Sequence, residues 1–373
     1  MHIAIIGCGQ LSRMLALAGI PFGFTFSFIN DAEHQDTTCV EGLGEIVQWR
    51  SGDSFDSLYA VLGKPDIVTV EKEQVDIALL VGFQKFCPVY PDPKAFAICQ
   101  DRYKEKQLLD SLDIPCSSYV YGQPLSVCVE TLSLPLVIKS CRDGYDGKNQ
   151  WVLKTPEDVE ALEQILKDKR ISSNDYIAEQ WIPFDKEISL VSVRSVNGEA
   201  RHYSLTENTH DKGILKQSIA PAPNVSEGLI KKAQDYLGRI VNELDYVGVI
   251  AMECFVTGEK LLINELAPRV HNSGHWTQSG SKTCQFENHL RAITGTVLGN
   301  TENHGVAGMV NLIGIEKPSL EVLSADSKLH WYNKSVRPGR KLGHVNFQTA
   351  DVNQLLMAMN TFSKLSHSKS SDS

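Results

Sequence analysis

Two glutamates, Glu253 and Glu265, carry the strongest chemical signal in this chain. Glu253 interrupts the apolar run VGVIAMECFV (247–256), where an unpaired carboxylate is costly to bury. Thr257-Gly258-Glu259 reads as a turn and KLLINELAPR (260–269) as the returning strand. A three-residue loop, Gly258 to Lys260, pairs Thr257 with Leu261, and counting back sets Glu253 directly opposite Glu265. A two-residue loop sends the two to opposite faces. Facing carboxylates repel, and a divalent cation between them removes the conflict. Oxygen ligation with Asn264 alongside suits Mg²⁺ held together with substrate phosphates. Taken by itself, the pattern also fits two exposed acids in an edge hairpin.

Four other strings could take part. GYDGKNQ (144–150) follows a strand ending in Lys139; its glycines and cation suit a mobile phosphate-covering loop, or an ordinary turn. YIAEQWI (176–182) reads as a strand edge, with Glu187 a few residues on, and such an edge could hold a purine and its ribose, or be structural. RVHNSGHW (269–276) gathers Arg269, His271 and His275 after a strand end. Joint metal ligation by the two histidines needs a helix, which Asn272-Ser273-Gly274 opposes, so anion binding fits better. The string 334–344, KSVRPGRKLGH, turns at Pro338-Gly339 and presents Lys334, Arg337, Arg340 and Lys341 either to solvent or to a phosphate.

The elements that must position these residues follow from pattern. Ile3, Ile5 and Ile6 lead into Gly7-x-Gly9 and then Leu11, Leu15 and Ala18, a strand, glycine turn and helix that open a parallel α/β unit. Ser12 stands where a dinucleotide fingerprint has its third glycine, which weakens a nicotinamide-cofactor reading. A second buried strand, 65–70, delivers Glu71. Further strands are predicted at 136–139, 188–194, 247–256 and 261–266. Between them lie core helices: one is capped by Thr155-Pro156-Glu157-Asp158, and another carries Leu229, Ala233, Leu237, Val241 and Leu244. The end of the chain reads as short, strand-rich, and closed by a polar tail.

Bulk properties narrow the classes. At 373 residues the chain is long enough for two or three modules. A net charge of −9 argues against a nucleic-acid carrier. Nine scattered cysteines without a CxxC fit reduced thiols. Gly19, Pro21 and Gly23 break the one apolar stretch near the start, leaving it short of the ~20 residues a membrane span needs. These features predict a soluble, cytoplasmic protein without a membrane or nucleic-acid partner.

Together the strings resemble a known family. MECFVTGEKLLINELAPRVHNSGHWTQSG (252–280), with GxGQLxRML (7–15), DRYKEKQ (101–107), GYDGKNQW (144–151), TENxHxxGIL (206–215) and WYNKxVRPGRKLGH (331–344), closely resembles the N5-carboxyaminoimidazole ribonucleotide synthases, ATP-grasp enzymes of purine synthesis. The resemblance implies an α/β fold, α+β in its nucleotide-binding part. It has a Rossmann-like domain (1–100), a two-lobed ATP-grasp domain (101–298), a small β-rich domain (299–365) and a disordered tail (366–373). It implies carboxylation of 5-aminoimidazole ribonucleotide by ATP and bicarbonate through carboxyphosphate, two Mg²⁺ ions, and a homodimer. ATP is expected at Arg102, Lys139, Gly144, Tyr145, Asp146, Gly147, Lys148, Gln150, Glu179, Gln180, Trp181, Ile182, Glu187, His210, Asn264 and Glu265. The aminoimidazole ribonucleotide and bicarbonate are expected at Gln10, Leu11, Glu71, Tyr145, Asp146, Lys148, Arg269, His271, Lys334 and Arg340. Arg269, His271, Asp146 and Lys148 are the expected catalytic residues, and Glu253 and Glu265 the metal ligands.

Overall fold

The computed structural model describes residues 1–32, 36–142, 144 and 149–368. The first hundred residues build β1 (His2–Ile6), α1 (Gln10–Gly19), β2 (Thr25–Asn30), β3 (Glu45–Gln48), α2 (Phe55–Val61), β4 (Ile67–Val70), α3 (Ile77–Phe83) and α4 (Pro93–Cys99). The strands lie parallel in the order β3-β2-β1-β4. Their continuous apolar runs fit a sheet covered on both faces. β4 aims Glu71 and the residues after it at the middle of the molecule. His289 pins that strand end: Val249 N–H donates to its Nδ1 (3.1 Å), so Nε2 bears the proton given to Thr69 Oγ1 (2.8 Å).

α5 (Arg102–Ser111) starts at Asp101, whose carboxylate accepts the Tyr103 and Lys104 N–H groups. A small lobe follows: β5 (Tyr119–Tyr121), α6 (Leu125–Leu132), β6 (Leu136–Ser140), β7 (Gln150–Leu153), α7 (Pro156–Asp168) and β8 (Tyr176–Gln180), with the sheet ordered β5-β8-β6-β7. The predicted cap of α7 forms as a capping box between Thr155 and Asp158. Leu162 and Leu166 bury the helix against Leu136, Ile138 and Tyr176 in a core that belongs to this lobe.

The remaining strands form one antiparallel sheet: β9 (Lys186–Arg194), β10 (Ala200–His202), β11 (Thr206–Asp211), β12 (Ile214–Ala220), and, after α8 (Glu227–Glu243), β13 (Gly248–Thr257) and β14 (Lys260–Ala267). The short α9 (Thr277–Gly280) and α10 (Gln285–Ile293) lead to β15 (Val306–Ile313), β16 (Ser327–Trp331) and β17 (Lys341–Thr349). The order is β14-β13-β9-β11-β12-β15-β17-β16, with β10 beside β9. The C-terminal strands thus extend the large sheet through the β12–β15 pairing. A single core joins Ile5, Leu15 and Phe28 of the first unit to Val191, Trp276, Met309 and Tyr332 of this sheet.

The C-terminal end has the expected strands, β15 to β17, and closes with a helix that the sequence reading lacked. α11 (Val352–Ser368) runs on through 366–368, residues expected to be disordered. Leu355, Met359 and Phe362 recur at helical spacing and pack on Val310, Leu312, Val345 and Phe347. Gly308 admits the helix: a Cβ there would sit 2.5 Å from Met359 Sδ. Phe362→Ala should therefore cost about 3–5 kcal/mol in urea unfolding, whereas a helix that does not pack would show no change.

Candidate active site

The two lobes, the first unit and the 334–341 strap enclose a cavity of about 1360 Å³. Every expected site residue that is described lines it: Gln10, Leu11, Glu71, Arg102, Lys139, Gly144, Gln150, Glu179, Gln180, Trp181, Ile182, Glu187, His210, Glu253, Asn264, Glu265, Arg269, His271, Lys334 and Arg340. Asp143, Tyr145, Asp146, Gly147 and Lys148 lie outside the described residues.

Glu253 and Glu265 do face each other across β13 and β14, but not by the expected route. The turn is a two-residue loop, with Thr257 opposite Lys260, and that register continues to Cys254 opposite Ile263. Uninterrupted, it would set Asn264 against Glu253. A β-bulge intervenes, Asn264 is the extra residue, and the ladder resumes with Glu253 opposite Glu265. The bulge turns Glu265 to the cavity, where its side chain remains 36% exposed.

The surrounding charges divide this pair. Arg102 Nη1 reaches Glu265 Oε2 at 3.1 Å. Burial alone would raise the Glu265 pKa, but Arg102 and Lys139 hold it below the usual carboxylate range. Burial and the facing Glu265 push Glu253 up to about 8. One proton therefore rests on Glu253 in the metal-free protein. Two hard-oxygen donors in forced proximity, with the Asn264 amide beside them, are a donor set that a divalent cation fits.

Behind them lies a second cluster. Lys106 and Lys139 approach Glu179 at 3.3 and 3.1 Å, and Ser117 Oγ donates to it at 2.5 Å. Burial opposes ionisation of Glu179, yet Lys106 and Lys139 outweigh it and hold the carboxyl well below its ordinary range. Lys139 shifts downward despite this partner, because burial and the cations Arg102 and Lys106 oppose its own charge. Its ammonium also donates to Asn264 Oδ1 at 3.0 Å, which ties the small lobe to the bulge. β8 is not an edge: it pairs with β5 and β6, and Trp181 and Ile182 follow in the loop beyond it. Phe184 stacks on Phe255 (4.7 Å, 9°), adding apolar wall beside Val137 and Val152.

His271 is set by a buried relay. Ser218 Oγ donates to Asn208 Oδ1 (2.8 Å), Asn208 Nδ2 to Ser189 Oγ (3.0 Å), Ser189 Oγ to Ser273 Oγ (2.8 Å), and Ser273 meets His271 Nδ1 through its hydroxyl (2.9 Å) and its N–H (3.3 Å). Nδ1 is therefore the acceptor, and the Nε2 proton points to Glu253 Oε1, 3.6 Å away. Burial, with Arg269 nearby, keeps His271 neutral. His275, on the same cavity wall, is buried against Gln285 and Phe286. Glu187 pairs with His210 at 2.7 Å.

Three acids of the first unit complete the site. Glu71 accepts from Gly9 N–H (2.5 Å) and Ser12 N–H (2.8 Å), so its carboxylate occupies the start of α1, where a dinucleotide pyrophosphate would otherwise lie. A Cβ on Gly7 would meet its Cγ at 2.4 Å. The expected substrate contact at Glu71 thus competes with two backbone amides. Glu73 pairs with Arg269 at 2.6 Å, and Asp36 with Arg340 at 2.7 Å. Lys334 donates to Gln10 Oε1. Sequence reasoning missed Glu73, Asp36 and Lys106; the DRYKEKQ string pointed only to the helix that carries Lys106.

Family models match residues 1–100 as a ribonucleotide synthetase preATP-grasp domain, 107–286 as an ATP-grasp domain, and 307–357 as a phosphoribosylaminoimidazole carboxylase C-terminal domain. The chain is 42% identical over 355 residues to the N5-carboxyaminoimidazole ribonucleotide synthase of Pseudomonas aeruginosa, covering 94% of this chain and 95% of that one. The chain belongs to the N5-carboxyaminoimidazole ribonucleotide synthase family. A solved family structure from Thermus thermophilus superposes with a TM-score of 0.88 at 42% identity, covering 97% and 98% of the two chains. One from Aspergillus clavatus, in complex with ADP and 5-aminoimidazole ribonucleotide, gives 0.86 at 25% identity, covering 98% of each. As a member of this family the chain is an ATP-dependent ligase. Among the described residues no helix is long and apolar enough to cross a membrane.

The divided acid pair makes a pH prediction. Between the ordinary Glu value of 4.5 and about 8, the unfolded chain releases the Glu253 proton while the folded, metal-free protein keeps it. That contribution to stability is whole below pH 4.5 and is lost as pH rises towards 8, by at most about 1.4 kcal/mol per pH unit. Glu253→Gln has no such slope. Unfolding free energies measured in EDTA should nearly parallel each other below the window and diverge within it in favour of Gln; parallel curves throughout would refute the shared proton.

Proposed function

We propose that ATP lies between the two lobes, its phosphates over Glu253 and Glu265, and that aminoimidazole ribonucleotide reaches it from the 334–341 strap. The chain then catalyses its family's reaction, carboxylating 5-aminoimidazole ribonucleotide to N5-carboxyaminoimidazole ribonucleotide. One observation carries this reading: a single cavity gathers the facing carboxylates, the Lys139–Glu179 cluster, the Arg269–His271 corner and the Lys334–Arg340 cations.

The base would rest among Val137, Val152, Trp181, Ile182 and Phe184, with Glu187 at the ribose. Arg102 and Lys139 carry positive charge to the phosphates. Glu253, Glu265 and Asn264 would hold Mg²⁺, which when bound neutralises phosphate charge. Arg269 and the Nε2–H of His271 are placed to bind bicarbonate and to stabilise the anion that forms from it. A bicarbonate oxygen attacks the γ-phosphorus, ADP departs, and carboxyphosphate results. The exocyclic amine then takes the carboxyl group, phosphate leaves, and the nitrogen loses a proton. Limiting hydrolysis of the intermediate would require that water be kept from it during turnover.

The proposal includes domain divisions near residues 100 and 298, and a cytoplasmic homodimer, which sedimentation would test. Its central experiment is ADP release with bicarbonate and aminoimidazole ribonucleotide together, against each omitted in turn. Turnover that ignores both would sink it. Glu265→Gln should abolish turnover while leaving the fold intact.

The strap yields a sharper expectation. Charge-assisted contacts to a 5′-phosphate are worth roughly 1.5–3 kcal/mol. Arg340→Ala should accordingly raise KM for aminoimidazole ribonucleotide about ten- to a hundredfold with little change for ATP. Arg340→Lys should recover only part, since a point charge lacks the two-pronged contact. Equal changes in both constants would mean that the strap does not bind this substrate.

A further inference from the structure

Glu265 reaches its partner only through the bulge at Asn264, and something must hold that bulge. A bulge interrupts the ladder, and β14 is the outermost strand of its sheet, so its outer edge needs partners from elsewhere. Pro115 O accepts the Ile263 N–H at 2.9 Å. The next positions are met by two neighbouring buried side chains of α5. Lys106 Nζ lies 3.4 Å from Asn264 O, and Glu105 Oε2 accepts the Leu266 N–H at 2.9 Å. One turn earlier, Arg102 takes the Glu265 side chain. The helix thus grips three consecutive residues of β14. Glu105 is 2% exposed and is not among the residues lining the cavity.

We propose that Glu105 is a positioning residue for the metal–nucleotide site: its hydrogen bond to Leu266 N–H fixes the bulge that turns Glu265 towards Glu253. The inference rests on reading Glu253 and Glu265 as the metal pair. Without this bond, β14 is free to settle into the register of its two-residue turn, in which Glu253 faces Asn264 and Glu265 points to the other side of the sheet. Lys106 holds the other flank of the bulge, but it also neutralises Glu179, so its substitution would confound two effects.

The test is Mn²⁺ titrated into the full-length protein with saturating ADP, free Mn²⁺ being read by electron paramagnetic resonance. Glu105→Met removes the acceptor at similar volume. It should weaken Mn²⁺ about tenfold or more, while ADP affinity without metal stays within about twofold. Glu105→Gln keeps an acceptor at the same reach and should restore Mn²⁺ affinity to within roughly threefold of wild type. Glu105→Asp keeps the carboxyl group but withdraws the acceptor by one methylene; it should lose as much as Met, and it carries the test if the Met variant does not fold. Wild-type Mn²⁺ affinity in the Met or Asp variant overturns the proposal. So does a parallel loss of metal-free ADP binding, or a Gln variant as weak as Met, because charge or general packing would then be the cause. Glu265→Gln separates the two readings. Unchanged Mn²⁺ affinity there refutes the metal pair itself, whereas loss there with none in the Glu105 variants refutes only the positioning role.

Discussion

The structure depends on two carboxylates being held face to face on the wall of the cavity. Glu253 and Glu265 repel, and no packing contact removes that repulsion. The fold manages it by asymmetry. Arg102 and Lys139 approach from the Glu265 side and keep that group ionised, while Glu253 retains a proton. The metal-free state is therefore less stable at neutral pH than its packing alone would make it. A divalent cation taking up both oxygens would reverse the sign of the interaction and displace the proton. On the proposed metal reading, a bound cation would relieve the strain that the facing pair otherwise carries.

That strain has to be carried by rigid parts. The first unit and the large sheet share one core, and His289 bolts β4 to β13, so the Glu73, Arg269, His271 and Lys334 side of the cavity behaves as one body. The small lobe buries a separate core and meets the large sheet in the cavity through Lys139 and Asn264, with α5 beneath. On the proposed reading, a nucleotide between two cores, rather than within one, would let the apolar walls approach the base without disturbing the acid pair.

How much of this was legible in the sequence turns on particular residues. The facing of Glu253 and Glu265 was readable, but for the wrong reason. The turn has two residues, not three, and a bulge at Asn264 restores the pairing. Hydrophobic alternation fixes which face a strand buries, but it does not count residues that step out of the ladder. Strand locations, the α7 cap and the glycine turn followed from local pattern, because local sterics and burial determine them. Asp36 with Arg340 and Glu73 with Arg269 were illegible, since each pair forms between distant segments that only the fold brings together. α11 is different. Leu355, Met359 and Phe362 already showed its buried stripe, and the polar residues around them obscured it.

The three acids of the first unit show how specificity arises from a glycine turn that looks generic. Glu71 takes the amides at the start of α1, Glu73 takes Arg269, and Asp36 takes Arg340. Each of these three anion-attracting places already holds a carboxylate. A dinucleotide phosphate gains nothing at α1, because Glu71 is covalently tethered there and accepts the same N–H groups. At Arg269 and Arg340 the resident carboxylate is a single acid, and a ligand with more oxygens in better geometry would displace it. Net affinity at these sites is thus a difference between two ion pairs, which lowers binding of any simple anion and leaves discrimination to shape and multiplicity of contact. An enzyme that must admit bicarbonate and a nucleotide phosphate into one cavity needs that discrimination more than it needs tight binding at either cation.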